Sequence, residues 1–130
     1  MKLVYPAIFE ACDEGGYSVS FPDLSGCFTE GDDITEALEM AEDAASGWIL
    51  DEIESGRSIP KASSWEEAAE GAEGFVNMVS LDIDAYAEKY GNKAVKKTLT
   101  IPAWMNTYVE THGISCSQLL QTAIGKLASA

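Results

Sequence analysis

Five aspartates, Asp23, Asp32, Asp33, Asp82 and Asp84, are the residues whose type could carry catalysis. Clustered carboxylates can hold paired divalent ions that activate water against a phosphodiester. Asp82 and Asp84 share one face of a strand end, which keeps a metal-dependent nuclease open as an alternative reading. The others have simpler explanations. Asp33 stands three residues before Glu36, the spacing of a helix cap, and Asp23 lies in the turn-forming run Pro22-Asp23-Leu24-Ser25-Gly26. No base or nucleophile accompanies them. His112, the one histidine, ends a helix where a cation suits the dipole. Cys12, Cys27 and Cys116 form no C-x-x-C and, with a single histidine, no zinc cage; they read as small core residues. Trp48, Trp65 and Trp104 read as packing residues, and no glycine-rich phosphate cradle is present. The expectation is a protein without catalytic residues, metal or cofactor.

A second kind of chemistry is carried by lysines and hydroxyls near the C-terminus. In Val95-Lys96-Lys97-Thr98-Leu99-Thr100-Ile101, alternation sends Leu99 and Ile101 one way and Lys96, Thr98 and Thr100 the other. Two such strands paired antiparallel about a two-fold axis make a ribbon whose width suits a DNA major groove. Lys93, Lys96 and Lys97, with the free amides of Ser115, Cys116 and Ser117 at a helix start, are the groups to meet phosphates. Lys97 falls on the inward phase, where its stem can snorkel while its ammonium reaches a phosphate. Threonine reads bases weakly, so phosphates supply most of the affinity. Dimerisation without DNA is the competing reading of this segment.

The elements that must position these groups follow from periodicity. Lys2 to Glu10 reads as a strand, with Pro6 suggesting an edge or a bulge. After the turn Asp13-Glu14-Gly15-Gly16 come a strand through Tyr17, Val19 and Phe21 and a short one at Cys27–Glu30, a three-stranded meander. A long helix follows, capped by Asp33 with Glu36 and ending at Gly56. Its stripe of Ile34, Ala37, Leu38, Ala41, Ala44, Ala45, Trp48, Ile49 and Ile53 must lie on the sheet, and Gly47 suggests close packing there. Residues 57–74 are irregular, with one short helical turn from Ser64 through Ala69. Phe75 to Leu81 is a fourth strand, and Asp82 leads into a brief helix through Tyr90.

The C-terminal helices start at Pro102 and, by a capping box, at Ser115 with Gln118. Their apolar residues, Met105, Tyr108 and Val109, then Leu119, Leu120, Ala123 and Ile124, join Leu99 and Ile101 as the core a dimer would share. A piece of about 40 residues seldom folds alone. Two copies supply each other's interior.

The chain has 130 residues, 46% hydrophobic, with a net charge of −14. It is long enough for a folded core, and no window approaches the ~20 apolar residues of a membrane span. With no signal-peptide core, these features predict a soluble, cytoplasmic, reduced protein without membrane partners. The charge is unevenly placed. Residues 1–88 carry 21 acidic and 3 basic side chains, a balance of −18, while 89–130 carry five lysines and one glutamate. Two parts with different partners are expected, 1–91 and 92–130.

Two stretches resemble known families. Lys96-Lys97-Thr98-Leu99-Thr100-Ile101-Pro102-Ala103-Trp104 with Gly113-Ile114-Ser115-Cys116-Ser117-Gln118 resembles the ribbon-helix-helix DNA-binding module. Gly16-Tyr17-Ser18-Val19-Ser20-Phe21-Pro22-Asp23-Leu24-Ser25-Gly26-Cys27-Phe28-Thr29-Glu30-Gly31-Asp32, followed by Glu36-Ala37-Leu38, resembles HicB-type antitoxins. The resemblance implies an α+β fold: an N-terminal β-β-β-α-β domain, partial RNase H-like without a working nuclease site, then a ribbon-helix-helix dimerisation module. It implies a type II antitoxin that blocks a basic, mRNA-cleaving HicA-type toxin and, as a homodimer, represses its operon by binding operator DNA. An orphan regulator without a toxin is a variant. Asp23, Glu30 and Asp32, inside the motif, are the candidate toxin contacts. An acidic body suits such a partner, since a protein that grips RNA presents basic charge.

Overall fold

The computed structural model describes residues 1–129, which divide into two compact units, Met1–Ala94 and a second beginning at Val95. In the first, β1 (Lys2–Ala11), β2 (Tyr17–Ser20) and β3 (Phe28–Gly31) form the expected meander, α1 (Ile34–Glu54) and α2 (Trp65–Ala69) follow, and β4 (Phe75–Asp82) returns to pair with β1. The sheet order is β3-β2-β1-β4, antiparallel throughout, and α3 (Ile83–Tyr90) leaves its end.

Because strand residues alternate, Tyr5, Ala7 and Phe9 of β1 share one face with Val19 of β2 and Val79 and Leu81 of β4. The buried α1 residues Ala37, Ala41, Ala45 and Ile49 complete this single core. The three alanines let the helix lie close to the strands. Gly31 permits the closest approach: a Cβ there would stand 2.3 Å from the Ala37 amide nitrogen. The caps are local and form as the sequence specifies. Asp33 Oδ1 accepts from the Glu36 amide at 2.8 Å, and Gly56 takes the left-handed φ of +75° past the helix end. Ser64 and Glu67 form a reciprocal capping box on α2.

Cys12 and Cys116, expected in the core, are exposed, as are Trp65 and Trp104, because the segments that carry them leave those faces uncovered. Three further expectations need correction. β1 is a central strand, so Pro6 does not mark an edge. It is tolerated because β2 pairs with β1 only from Ile8 onward, leaving Pro6 with a ladder partner, Met78, on one side. Gly47 does mark close packing, but its neighbour is a side chain of α3: a Cβ there would be 3.0 Å from the Tyr86 hydroxyl.

The third correction concerns the second unit, which holds α4 (Ala103–Thr111) and α5 (Cys116–Ala128). Val95–Ile101 is not a strand. A strand exists through its ladder, and no second strand answers this one among the described residues. Ser115 does cap α5, accepting from the Gln118 amide at 3.3 Å, but among the described residues the reciprocal arm of the box is not made. Among the described residues no helix is long and apolar enough to cross a membrane.

Candidate functional site

The aspartates singled out for metal chemistry are engaged separately. Asp33 and Asp82 cap α1 and α3, Asp82 accepting from the Ala85 amide at 3.2 Å. Asp84 pairs with the Met1 amino group. Asp23 accepts from the Ser63 hydroxyl at 2.5 Å and from its amide at 2.9 Å. Among the described residues no group of three or more histidine, cysteine or acidic side chains is placed to hold a metal ion.

Of the three acidic residues inside the motif, the fold brings two together. Glu30 and Asp32 flank the end of β3 and line a crevice of about 340 Å³ with Glu14, Tyr17 and Glu36. Glu36, one turn into α1, accepts from the Asp32 amide at 3.4 Å. Asp23 is drawn elsewhere by Ser63, where it fixes residues 57–64 against the loop after β2. There the Tyr5 hydroxyl donates to the Pro60 carbonyl at 2.5 Å, and burial, then the nearby Asp23 charge, pushes its pKa up.

A second acidic cleft, of about 300 Å³, lies between α1 and α3 and was not singled out from sequence. Glu39, Glu42 and Asp43 reach it from α1, and Tyr86 and Tyr90 from α3. Their signal was present in the spacing. Steps of three and four residues place side chains on one helix face.

In the second unit, the nucleic-acid candidates lie on an extended segment and a helix start. Lys96, Lys97, Thr98 and Thr100 are exposed, as are Ser115, Cys116 and Ser117. Lys93 belongs to the first unit, in a crevice with Leu50, Ile53 and Glu54. The candidate core residues converge. Leu99, Ile101, Met105, Tyr108, Val109, Leu119, Leu120 and Ala123 line one apolar groove of about 560 Å³, and Ile124 does not. Cys116, considered for its amide, turns its side chain into the same groove, and Trp104 joins it. No described residue of α4 or α5 is buried; Leu119 keeps 58% of its surface and Leu99 55%.

Comparison with known proteins gives a consistent result. Residues 5–124 match the family described as HicB_like antitoxin of bacterial toxin-antitoxin system. A 14.9 kDa protein from the rep-hol intergenic region of Haemophilus phage HP1 is 30% identical over 114 residues, 85% of this chain and 84% of that protein. Antitoxin HicB 1 of Photorhabdus laumondii is 58% identical over 43 residues, 33% of this chain and 28% of that one. Among solved structures, a chain of a toxin-antitoxin complex from Streptococcus pneumoniae superposes with a TM-score of 0.73 at 31% identity. That match covers 97% of this chain and 99% of the other. The antitoxin HicB of Burkholderia pseudomallei, at 24% identity and a TM-score of 0.57, shares the fold over 94% of this chain and 96% of that one.

Proposed function

Since the chain belongs to the HicB-like antitoxin family of bacterial toxin-antitoxin systems, we propose that it neutralises a HicA-type ribonuclease toxin and represses its own operon as a dimer. The observation that carries the antitoxin role is the match, across nearly the whole chain, to a chain of a solved toxin-antitoxin complex. On this reading the first unit, a partial RNase H-like fold, acts by binding. Its charge supports that role, because residues 1–88 hold 21 acidic side chains against 3 basic ones. Such a body attracts an RNA-gripping surface and competes with phosphates for it. Glu30 and Asp32 stand as toxin contacts.

The open apolar groove supports the DNA-binding half of the proposal. Two copies that close their grooves on each other bring two 95–101 segments together, each supplying the strand the other lacks. Leu99 and Ile101 then point into the shared core, and Lys96, Thr98 and Thr100 point outward toward an operator. Lys93, Lys97 and the α5 amides from Ser115 to Ser117 serve phosphates.

Two measurements test the proposal. Added to the basic ribonuclease encoded beside it, the protein stops mRNA cleavage; undiminished cleavage at stoichiometric excess refutes the antitoxin role. On promoter DNA carrying an inverted repeat, Lys96→Ala with Thr98→Ala weakens binding about 10-fold or more, as expected for losing two operator contacts from each of two strands. Binding indifferent to both changes refutes the ribbon assignment. Incubation with RNA and Mg²⁺ or Mn²⁺ produces no cleavage.

A further inference from the structure

The α1/α3 cleft holds more acceptor capacity than the protein itself uses. Glu39, Glu42 and Asp43 project from successive turns of α1, and none of the three is in an ion pair among the described residues. The opposite wall is aromatic: Tyr86 and Tyr90 lie with ring centroids 4.7 Å apart, tilted by 43°. Lys89 Nζ already stands 5.4 Å from the Tyr90 ring centroid, so this ring attracts a cation. The floor carries the most telling group. Ser46 is 2% exposed, lines the cleft, and its hydroxyl has no hydrogen-bond partner among the described residues. No side-chain polar atom among the described residues is fully sealed without a partner, so the Ser46 hydroxyl keeps access to the cleft it lines and can accept from a guest there. Gly47 beside it makes room for the Tyr86 hydroxyl.

Unpaired carboxylates, a ring pair and a free acceptor at the floor define a guest. It is cationic, has several donors and presents a flat face that stacks. A guanidinium fits each demand, being planar, five-donor and weakly hydrated. A phosphate or a nucleotide meets four carboxylates, Glu39, Glu42, Asp43 and Asp82, against the single cation Lys89 among the described lining residues. We propose that this cleft receives an arginine side chain of the basic protein partner, anchoring it on the acidic body. The proposal rests on the antitoxin reading for the partner's identity, and the charge imbalance of residues 1–88 argues for a protein guest over a free amine.

Two arms test it on the full chain. In the first, isotope-labelled protein is titrated with the peptide acetyl-Gly-Arg-Gly-amide and with its citrulline counterpart. The arginine peptide shifts the Ser46, Gly47 and Tyr86 signals saturably, the citrulline peptide does not, and Tyr90→Ala abolishes the effect. Tyr90 is 53% exposed, so its loss leaves the core intact. Equal responses to the two peptides, or none at these residues, overturn the cleft as a guanidinium site.

In the second arm, toxin affinity is measured for Glu39→Gln/Asp43→Asn and for the charge-matched Glu10→Gln/Asp13→Asn, whose residues line a different crevice. The cleft pair loses about 10-fold or more and the control pair about 3-fold or less, the difference expected between an anchor and diffuse charge. Equal losses overturn the anchor while leaving the antitoxin reading standing. No toxin binding by the unaltered protein overturns that reading and the identity of the guest, and the peptide arm still decides the cleft.

Discussion

Both oxygens of Asp23 are taken by Ser63, forty positions along the chain, so this carboxylate works as a latch on residues 57–64. Asp23→Ala should cost about 1–3 kcal/mol, because it strands a part-buried amide and hydroxyl; the check is a lowered thermal midpoint for the first unit. Alkaline pH should act on the same region through Tyr5 and on the α1/α3 cleft through Tyr86. Burial raises the Tyr5 and Tyr86 pKa values above the usual 10.0, so the folded state prefers the neutral phenols. Their contribution to stability is full below pH 10 and lost as pH climbs through the raised values. Denaturant unfolding across that range should show stability falling, less steeply in Tyr5→Phe. Thiol labelling separates the cysteines: Cys27 is buried with its pKa pushed up and should resist alkylation until unfolding, whereas Cys12 and Cys116 are exposed. In the proposed dimer Cys116 becomes protected as concentration rises. Residue roles set within one turn of helix, such as Asp33 over Glu36 or Ser64 with Glu67, were legible because a cap needs only its own neighbours. The Asp23–Ser63 contact was not. Nothing local specifies which hydroxyl arrives from forty residues away.

Among the elements, α1 was legible in its cap, its end at Gly56 and the middle of its stripe, while Ile34 and Ile53 at its two ends stay exposed and Ser46 and Leu50 are buried unforeseen. Strand existence was legible from alternation, but strand order was not. Pro6 argued locally for an edge, and the answer depended on where β2 stops pairing. The same limit applies to Val95–Ile101. Its alternation is that of a strand, but pairing is a property of two segments. Where α1 meets the sheet, Gly31 leaves no room for a side chain, with Ala37 and Glu36 backbone atoms within 2.8 Å of a built Cβ. Gly31→Ala should therefore destabilise by about 1–3 kcal/mol, as overpacking does. Chemical denaturation gives the value, and a change below about 0.5 kcal/mol, the ordinary surface range, would contradict the close approach. The α1/α3 cleft escaped sequence reading for a related reason. Each wall was periodic, but their facing requires α1 and α3 to be brought side by side by the fold.

At the level of the molecule, the two units differ in how they earn their stability. The first has one continuous core, and the second presents its apolar groove to solvent. Unfolding of the second should depend on protein concentration while that of the first does not, as scanning calorimetry over a 100-fold dilution would reveal. Operator affinity should fall steeply with salt, with log K losing about 0.9 per neutralised phosphate for each decade of added ions. Acidic and basic residues segregate along the chain, with 21 acidic side chains against 3 basic ones in residues 1–88. The two compact units meet after Ala94, and Asn92 is held to the first by its amide donating to Glu54 at 3.0 Å. The unequal charge has one more effect. Each operator-bound copy would carry a cargo that recoils from the duplex, so whatever mutes that recoil tightens the grip. Promoter silence would then gauge how much of the cargo is occupied.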